Sequence, residues 1–200
     1  MNTSVLPKGK GKMMTESVQG RRVKMTIMLI KDAMVQSLQN EHISKITVTS
    51  LCELADINRS TFYAHFNDPY DLLNSIEQEV LHNITQYLEK QDYTDKRPIS
   101  FQVLCRILDY AQGNASLFKA LLSDNCDSEI RNEILNLTQV VSIQLNEKYN
   151  QRVLEYLNAY CVSGCVSLLQ KWLQDDMPES TTQIAEYMMQ MLYSGMSSFE

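Results

Sequence analysis

The twenty residues from Thr47 to Phe66, TVTSLCELADINRSTFYAHF, constrain this chain more than any other stretch, because their apolar spacing fits two short helices joined by a tight turn. Thr47 is placed to cap the first helix by accepting from the free backbone N–H groups at its start. Val48, Leu51, Cys52 and Ala55 then recur at the spacing of one buried face. Asn58 caps the second helix in the same way. Phe62 and Phe66, four apart, bury themselves against the first helix and hold the crossing angle, while Arg59, Ser60, Thr61, Tyr63 and His65 present polar groups outward.

A helix anchored by its back and polar on its front suits the DNA major groove, where residues near its N-terminus reach base edges and flanking donors grip phosphates. Arg59 is suited to a bidentate contact with guanine, worth about 1–3 kcal/mol of discrimination; the Ser60 hydroxyl and Thr61 methyl suit a base edge or a thymine methyl. Tyr63, His65 and Thr49 are better placed for phosphates. From periodicity alone, an amphipathic helix pair with no such role fits as well.

The residue order is more specific. Ala55-x-Ile57-x-x-x-Thr61-Phe62-Tyr63-x-His65-Phe66, followed by Asp71-Leu72-Leu73, resembles the N-terminal domain of TetR/AcrR-type transcriptional regulators. The resemblance spans residues 21–90; beyond it the chain matches by layout only. It implies that Thr47 and Thr49 start the helix abutting the phosphate backbone, that Asn58, Arg59, Ser60 and Thr61 face the groove, and that Tyr63 and His65 meet phosphate oxygens. Two positions depart from the family. Asp56 stands in the turn where Gly is usual, and Asp tolerates the left-handed backbone that favours Gly better than most residues. Pro69 replaces a common Lys at the start of the fourth helix, which keeps the helix-start signal behind Asp68 but removes a phosphate contact. DNA affinity then leans more on Lys24, Lys45 and the N-terminal arm.

Charge is divided along the chain. The net charge of -6 argues against a nucleic-acid binder when read globally, yet residues 1–70 hold nine Lys or Arg against six Asp or Glu, and residues 71–200 nine against eighteen. A basic head on an acidic body directs the head toward phosphates and the body away. Residues 1–20, with Lys8, Lys10 and Lys12, lack apolar periodicity and read as a disordered basic arm: either a solvated tail or a segment that follows the DNA backbone, with Arg21 and Arg22 as the best placed cations. Neither a membrane span nor a secretory leader is expected, which places the chain in the cytoplasm. The five cysteines form no Cys-x-x-Cys pair. Cys161 and Cys165, four apart, fit small core residues better than a redox or metal pair, and His42, His65 and His82 lack metal spacing. No cofactor and no metal are expected.

The whole chain reads as all-α: a helix-turn-helix DNA-binding domain over 21–68, then a C-terminal helical regulatory and dimerisation domain over 69–200. The first helix is expected over Val23–Gln39, with Ile27, Ile30, Ala33, Met34 and Leu38 inward, and a long fourth over Pro69–Lys90. Further helices are expected over Ile99–Ala111, Ala115–Leu122, Asp127–Lys148, Arg152–Gln174 and Glu179–Met196, with breaks at Gly113-Asn114, Ser123-Asp124-Asn125 and Asp175-Asp176-Met177-Pro178. The last two carry more apolar surface than one core face needs. The resemblance implies that they pair with their copies in a homodimer, through Leu157, Cys161, Gly164, Leu168, Trp172, Ile184, Met188, Met191 and Leu192; filling the body's own core is the alternative. An effector pocket in the body would use Tyr110, Phe118, Leu121 or Tyr160.

The function expected is a dimeric, effector-responsive regulator bound to a double-stranded operator. The run Asn58 to Tyr63 and the Gly164 to Trp172 spacing are also similar to regulators near dihydroxyacetone kinase operons, some of which act as activators responding to a protein partner. A partner protein is thus an alternative to a small-molecule effector. An all-helical enzyme finds little support, since no nucleophile is spaced to a base; an adaptor that no longer reads DNA is the other competing class.

Overall fold

The computed structural model describes residues 10–89, 99–126 and 151–196. Within them the chain forms α1 (Lys10–Leu38), a 3-10 turn (Ile43–Lys45), α2 (Val48–Leu54), α3 (Arg59–Tyr63), α4 (Pro69–Glu89), α5 (Phe101–Gly113), α6 (Ala115–Leu121), α7 (Gln151–Gln174) and α8 (Thr181–Met196). No strand occurs among the described residues. The helix expected over Asp127–Lys148 lies outside them.

The first helix begins at Lys10, well before the expected Val23, so residues 10–20 are helical where a disordered arm was expected. Apolar periodicity in the sequence does not mark this extension. Lys, Met, Glu and Gln in its sequence nevertheless favour helix on propensity alone.

The core of the head is built as the apolar spacing predicts. Ile30, Ala33, Met34 and Leu38 of α1 are buried, as are Leu51, Cys52 and Ala55 around α2 and Phe62 and Phe66 around α3. Val48 and Ile57 pack at its edge. α4 contributes Leu72, Leu73, Ile76, Val80, Ile84 and Leu88; these recur every three or four residues along 21 residues of helix, long enough to run from the head into the body. α1 packs on α2, α4 and α6, and α5 lies against α4 and α8.

Two helix ends share one unusual construction. After α2, Ile57 N–H reaches Cys52 O at 3.0 Å and Asp56 N–H reaches Glu53 O at 3.4 Å, with Asp56 at φ 51. After α7, Met177 N–H reaches Trp172 O at 2.9 Å and Asp176 N–H reaches Leu173 O at 3.2 Å, with Asp176 at φ 60. This crossed pair of bonds closing on a left-handed residue is the Schellman motif. Both places fall to Asp, so the helix-turn-helix turn forms without glycine, at the strain a Cβ brings there.

Candidate nucleic-acid interface

Each reading helix is fixed by its own cap. Thr47 Oγ1 accepts from Ser50 N–H at 3.1 Å, and Ser50 Oγ accepts in return from Thr47 N–H at 3.2 Å, a reciprocal capping box. Asn58 Oδ1 accepts from Thr61 N–H at 2.8 Å, from Thr61 Oγ1 at 2.9 Å and from Ser60 Oγ at 2.6 Å. The hydroxyls of Ser60 and Thr61 therefore spend their hydrogens inside the protein and present acceptor lone pairs outward. Behind this row the Phe62 and Phe66 rings stand 5.9 Å apart and seal the helix to the core.

Arg59 Nη2 donates to Thr49 Oγ1 at 2.5 Å, which joins the first turns of α2 and α3 into one surface. Thr47, Asn58, Arg59, Ser60 and Tyr63 are exposed on it; Thr49, Thr61 and His65 are half-buried. The Arg59 guanidinium favours a thiolate at the buried Cys52, but burial outweighs it and holds that thiol above its ordinary value. Lys45, in the 3-10 turn, is exposed. Lys24 lies on α1, on the wall of a cleft among α1, α4, α5 and α6.

Sequence reasoning named Thr47 but missed Ser50, whose signal was present as a hydroxyl three residues after a capping hydroxyl. Asp71, named in sequence only as part of the motif, has a structural part as well: its Oδ2 accepts from Asn67 N–H at 2.8 Å while Asp71 N–H donates to Asp68 Oδ1 at 2.9 Å. These bonds secure the start of α4 around Pro69.

Residues 100–194 match the TetR-type family described as "Transcriptional regulator C-terminal region". The fold agrees: a TetR transcriptional regulator from Streptococcus agalactiae 2603V superposes with a TM-score of 0.63 at 23% identity, over 88% of this chain and 98% of that one. Residues 100–194 thus carry the C-terminal region of a TetR-type regulator, and the described chain shares the fold of such regulators. The dihydroxyacetone kinase operon activator DhaS is similar in fold at a TM-score of 0.57 and 17% identity, again over 88% and 98% of the two chains. The fatty acid degradation regulator FadR from Bacillus halodurans is similar at 0.62 and 18%, over 85% and 95%. No curated protein matches the sequence.

In this TetR-type body, Tyr110 and Phe118 meet edge to face at 5.5 Å, Tyr87 lies 6.1 Å from Tyr110, and Asn83 Nδ2 donates to the Tyr110 hydroxyl at 3.0 Å. Burial raises the Tyr110 phenol above its ordinary value, against that hydrogen bond. Phe118 and Leu121 are core residues, 3% and 1% exposed, and Tyr110 alone of the four expected effector residues reaches the α1–α4–α5–α6 cleft, a space of about 540 Å³. That cleft mixes apolar Ile27, Ile76, Val80 and Leu117 with Lys31, Asp32 and Glu79, and Lys31 Nζ pairs with Glu79 across it. Tyr160 corrects the expectation: it is 79% exposed, because its register on α7 places it one turn beyond Tyr156, itself 62% exposed.

The residues expected at a dimer interface divide in two. Trp172, Ile184 and Met188 are buried in the chain's own core, and Trp172 Nε1 donates to Glu179 O at 3.0 Å across the α7–α8 turn. Leu157, Cys161, Leu168 and Leu192 are half-buried, Gly164 is exposed with nothing within 4 Å of the place a Cβ would take, and Met191 is exposed. Tyr156, Tyr160 and Tyr187 extend the open faces of α7 and α8. Cys161 and Cys165 belong to α7, and among the described residues no group of His, Cys, Asp or Glu is arranged for a metal ion. No helix of the described residues is long and apolar enough to cross a membrane.

Proposed function

We propose that the chain is a homodimeric regulator that reads a specific operator through α3, with Arg59 on a base edge and Asn58, Ser60 and Thr61 beside it in the groove. Thr47, Thr49, Tyr63 and His65 hold the phosphates on either side, with Lys45 supplying charge and Lys24 a further cation on α1. The observation that carries this reading is the construction of α3. It is capped by Asn58, sealed from behind by the fully buried Phe62, and joined to α2 through Arg59 and Thr49. A helix five residues long has little stability of its own, so rigidity at that place comes from these anchors.

Dimerisation places two such helices about 34 Å apart, one turn of DNA. The open apolar faces of α7 and α8 support that assembly. A small-molecule effector in the body then acts through the spacing of the heads, and a preference of about 2.7 kcal/mol for one spacing changes DNA affinity roughly a hundredfold. One observation favours a protein partner instead: the cleft at Tyr110 is open and mixed in polarity, a surface suited to a partner's side chains as well as to a small ligand.

Anisotropy of the purified protein on labelled DNA from upstream of its own gene, against an unrelated duplex across a salt series, tests the reading. Selective, salt-sensitive binding at two chains per site is expected. Arg59→Ala should weaken specific binding far more than nonspecific binding; an equal loss on both duplexes moves Arg59 to the phosphates. Equal weak binding by the unaltered protein would favour the adaptor or partner-dependent reading.

A further inference from the structure

The turn that follows α6 holds the connector between α1 and the reading helices at both of its ends. Leu38 closes α1, where the helix supplies no further N–H to its last carbonyls. Asn125 supplies one from 87 residues away, its Nδ2 donating to Leu38 O at 3.0 Å. Its own carbonyl accepts from Ile43 N–H at 2.9 Å, where the 3-10 turn begins. Leu38 and Ile43 are both fully buried. Three residues beyond Ile43 the chain passes Ile46 and reaches Thr47, the cap of α2.

The same turn is gripped from the opposite side. Gln170 Nε2 of α7 donates to Leu122 O at 2.9 Å. Ser123 Oγ donates to Ala120 O at 2.7 Å and accepts from Asn125 N–H at 3.2 Å, which fixes the turn's shape. One short rigid segment thus lies between the helix that carries the open apolar face and the connector that carries the head.

We infer that Asn125 is a positioning residue for DNA reading: it fixes the angle at which the head leaves its own body, and so selects the half-site spacing that the dimer accepts. Two bonds to two points fix a direction, whereas one would leave a pivot. Both acceptor and donor on the head are buried, so letting go strands polar groups away from water, and intermediate angles are disfavoured. A swing at the connector need move α3 by only about 3.4 Å to miss by one base pair. The inference rests on the DNA-reading function proposed above.

The test selects duplexes from a random pool with the full-length protein, then compares the selected site, the same site with one base pair added between half-sites, and an isolated half-site. The unaltered protein should lose about tenfold or more on the lengthened site. Asn125→Ala should lose less than about threefold there while binding the isolated half-site as before, and the amides of residues 39–46 should exchange with solvent faster. Asn125→Asp, which keeps the side chain's size and the backbone bond but not the donor, serves if the alanine variant does not fold, with the same relaxation of spacing expected. Spacing discrimination unchanged in the folded variants overturns the inference. Failure of the unaltered protein to select any duplex overturns the DNA-reading function, and the inference with it.

Discussion

The helix pair of the head, α2 and α3, and the pair of the body, α7 and α8, show opposite habits on the same local architecture. Each pair turns through a Schellman motif with Asp in the left-handed place. In the head, Leu51 and Phe62 are fully buried, and each helix start is capped by a side chain. In the body, Trp172 and Leu173 are buried, while Tyr156, Tyr160, Tyr187 and Met191 face outward. The head turns Leu51 and Phe62 into the shared core; the body carries Tyr and Met side chains that the other described residues do not cover.

That contrast breaks most sharply at Phe62. Phe62→Ala removes a fully buried ring from the core, with an expected loss of about 3–5 kcal/mol in urea unfolding and of DNA binding with it. A loss below about 1 kcal/mol would mean that the ring does not anchor α3 as described. The opposite outcome is expected in the body. Tyr160→Glu should leave the unfolding of the protomer within about 0.5 kcal/mol yet weaken dimerisation by about 2 kcal/mol or more in sedimentation; an unchanged dimer would place the contact elsewhere.

Smaller effects sharpen the comparison at single positions. Thr47→Ala removes half of a capping box and should lower head stability by about 1 kcal/mol, read as a fall in melting temperature. At Cys165, burial and the neighbouring Cys161 push the thiol from its ordinary 9.0 up to about 11. The unfolded chain therefore releases that proton first, so this contribution to stability is complete below pH 9 and is lost as pH rises through about 11. A melting series over that range should fall less steeply for Cys165→Ala than for the unaltered protein. The smallest effect is expected at the turn itself, where Asp56→Gly relieves a left-handed backbone and should raise stability by about 0.5–1 kcal/mol. No gain in chemical unfolding would mean that Asp56 contributes something besides its conformation.

The head was legible in sequence because its determinants are local. Thr47, Asn58, Asp68 and Asp56 each act within four residues, and Phe62 and Phe66 mark their buried face by spacing alone. The body was legible in its helices but not in its faces: Trp172, Ile184 and Met188 share an apolar character with Met191, and periodicity does not tell which side meets the chain's own core. Tyr160 failed for that reason. Asn125 had no local signal, since its partners Leu38 and Ile43 lie more than eighty residues away. The start of α1 at Lys10 had no apolar periodicity in the sequence to mark it.

The bond between Arg59 and Thr49 has a thermodynamic consequence for recognition. A free arginine gives up about 2 kcal/mol of rotamer freedom when it is immobilised on a base. If Arg59 reads a base as proposed, much of that ordering takes place as the chain folds, and the guanidinium meets DNA already aimed by Thr49. Thr49→Ala should therefore show its effect in the entropy of operator binding measured by calorimetry. The hydroxyl that aims the arginine would then be a determinant of specificity that touches no base.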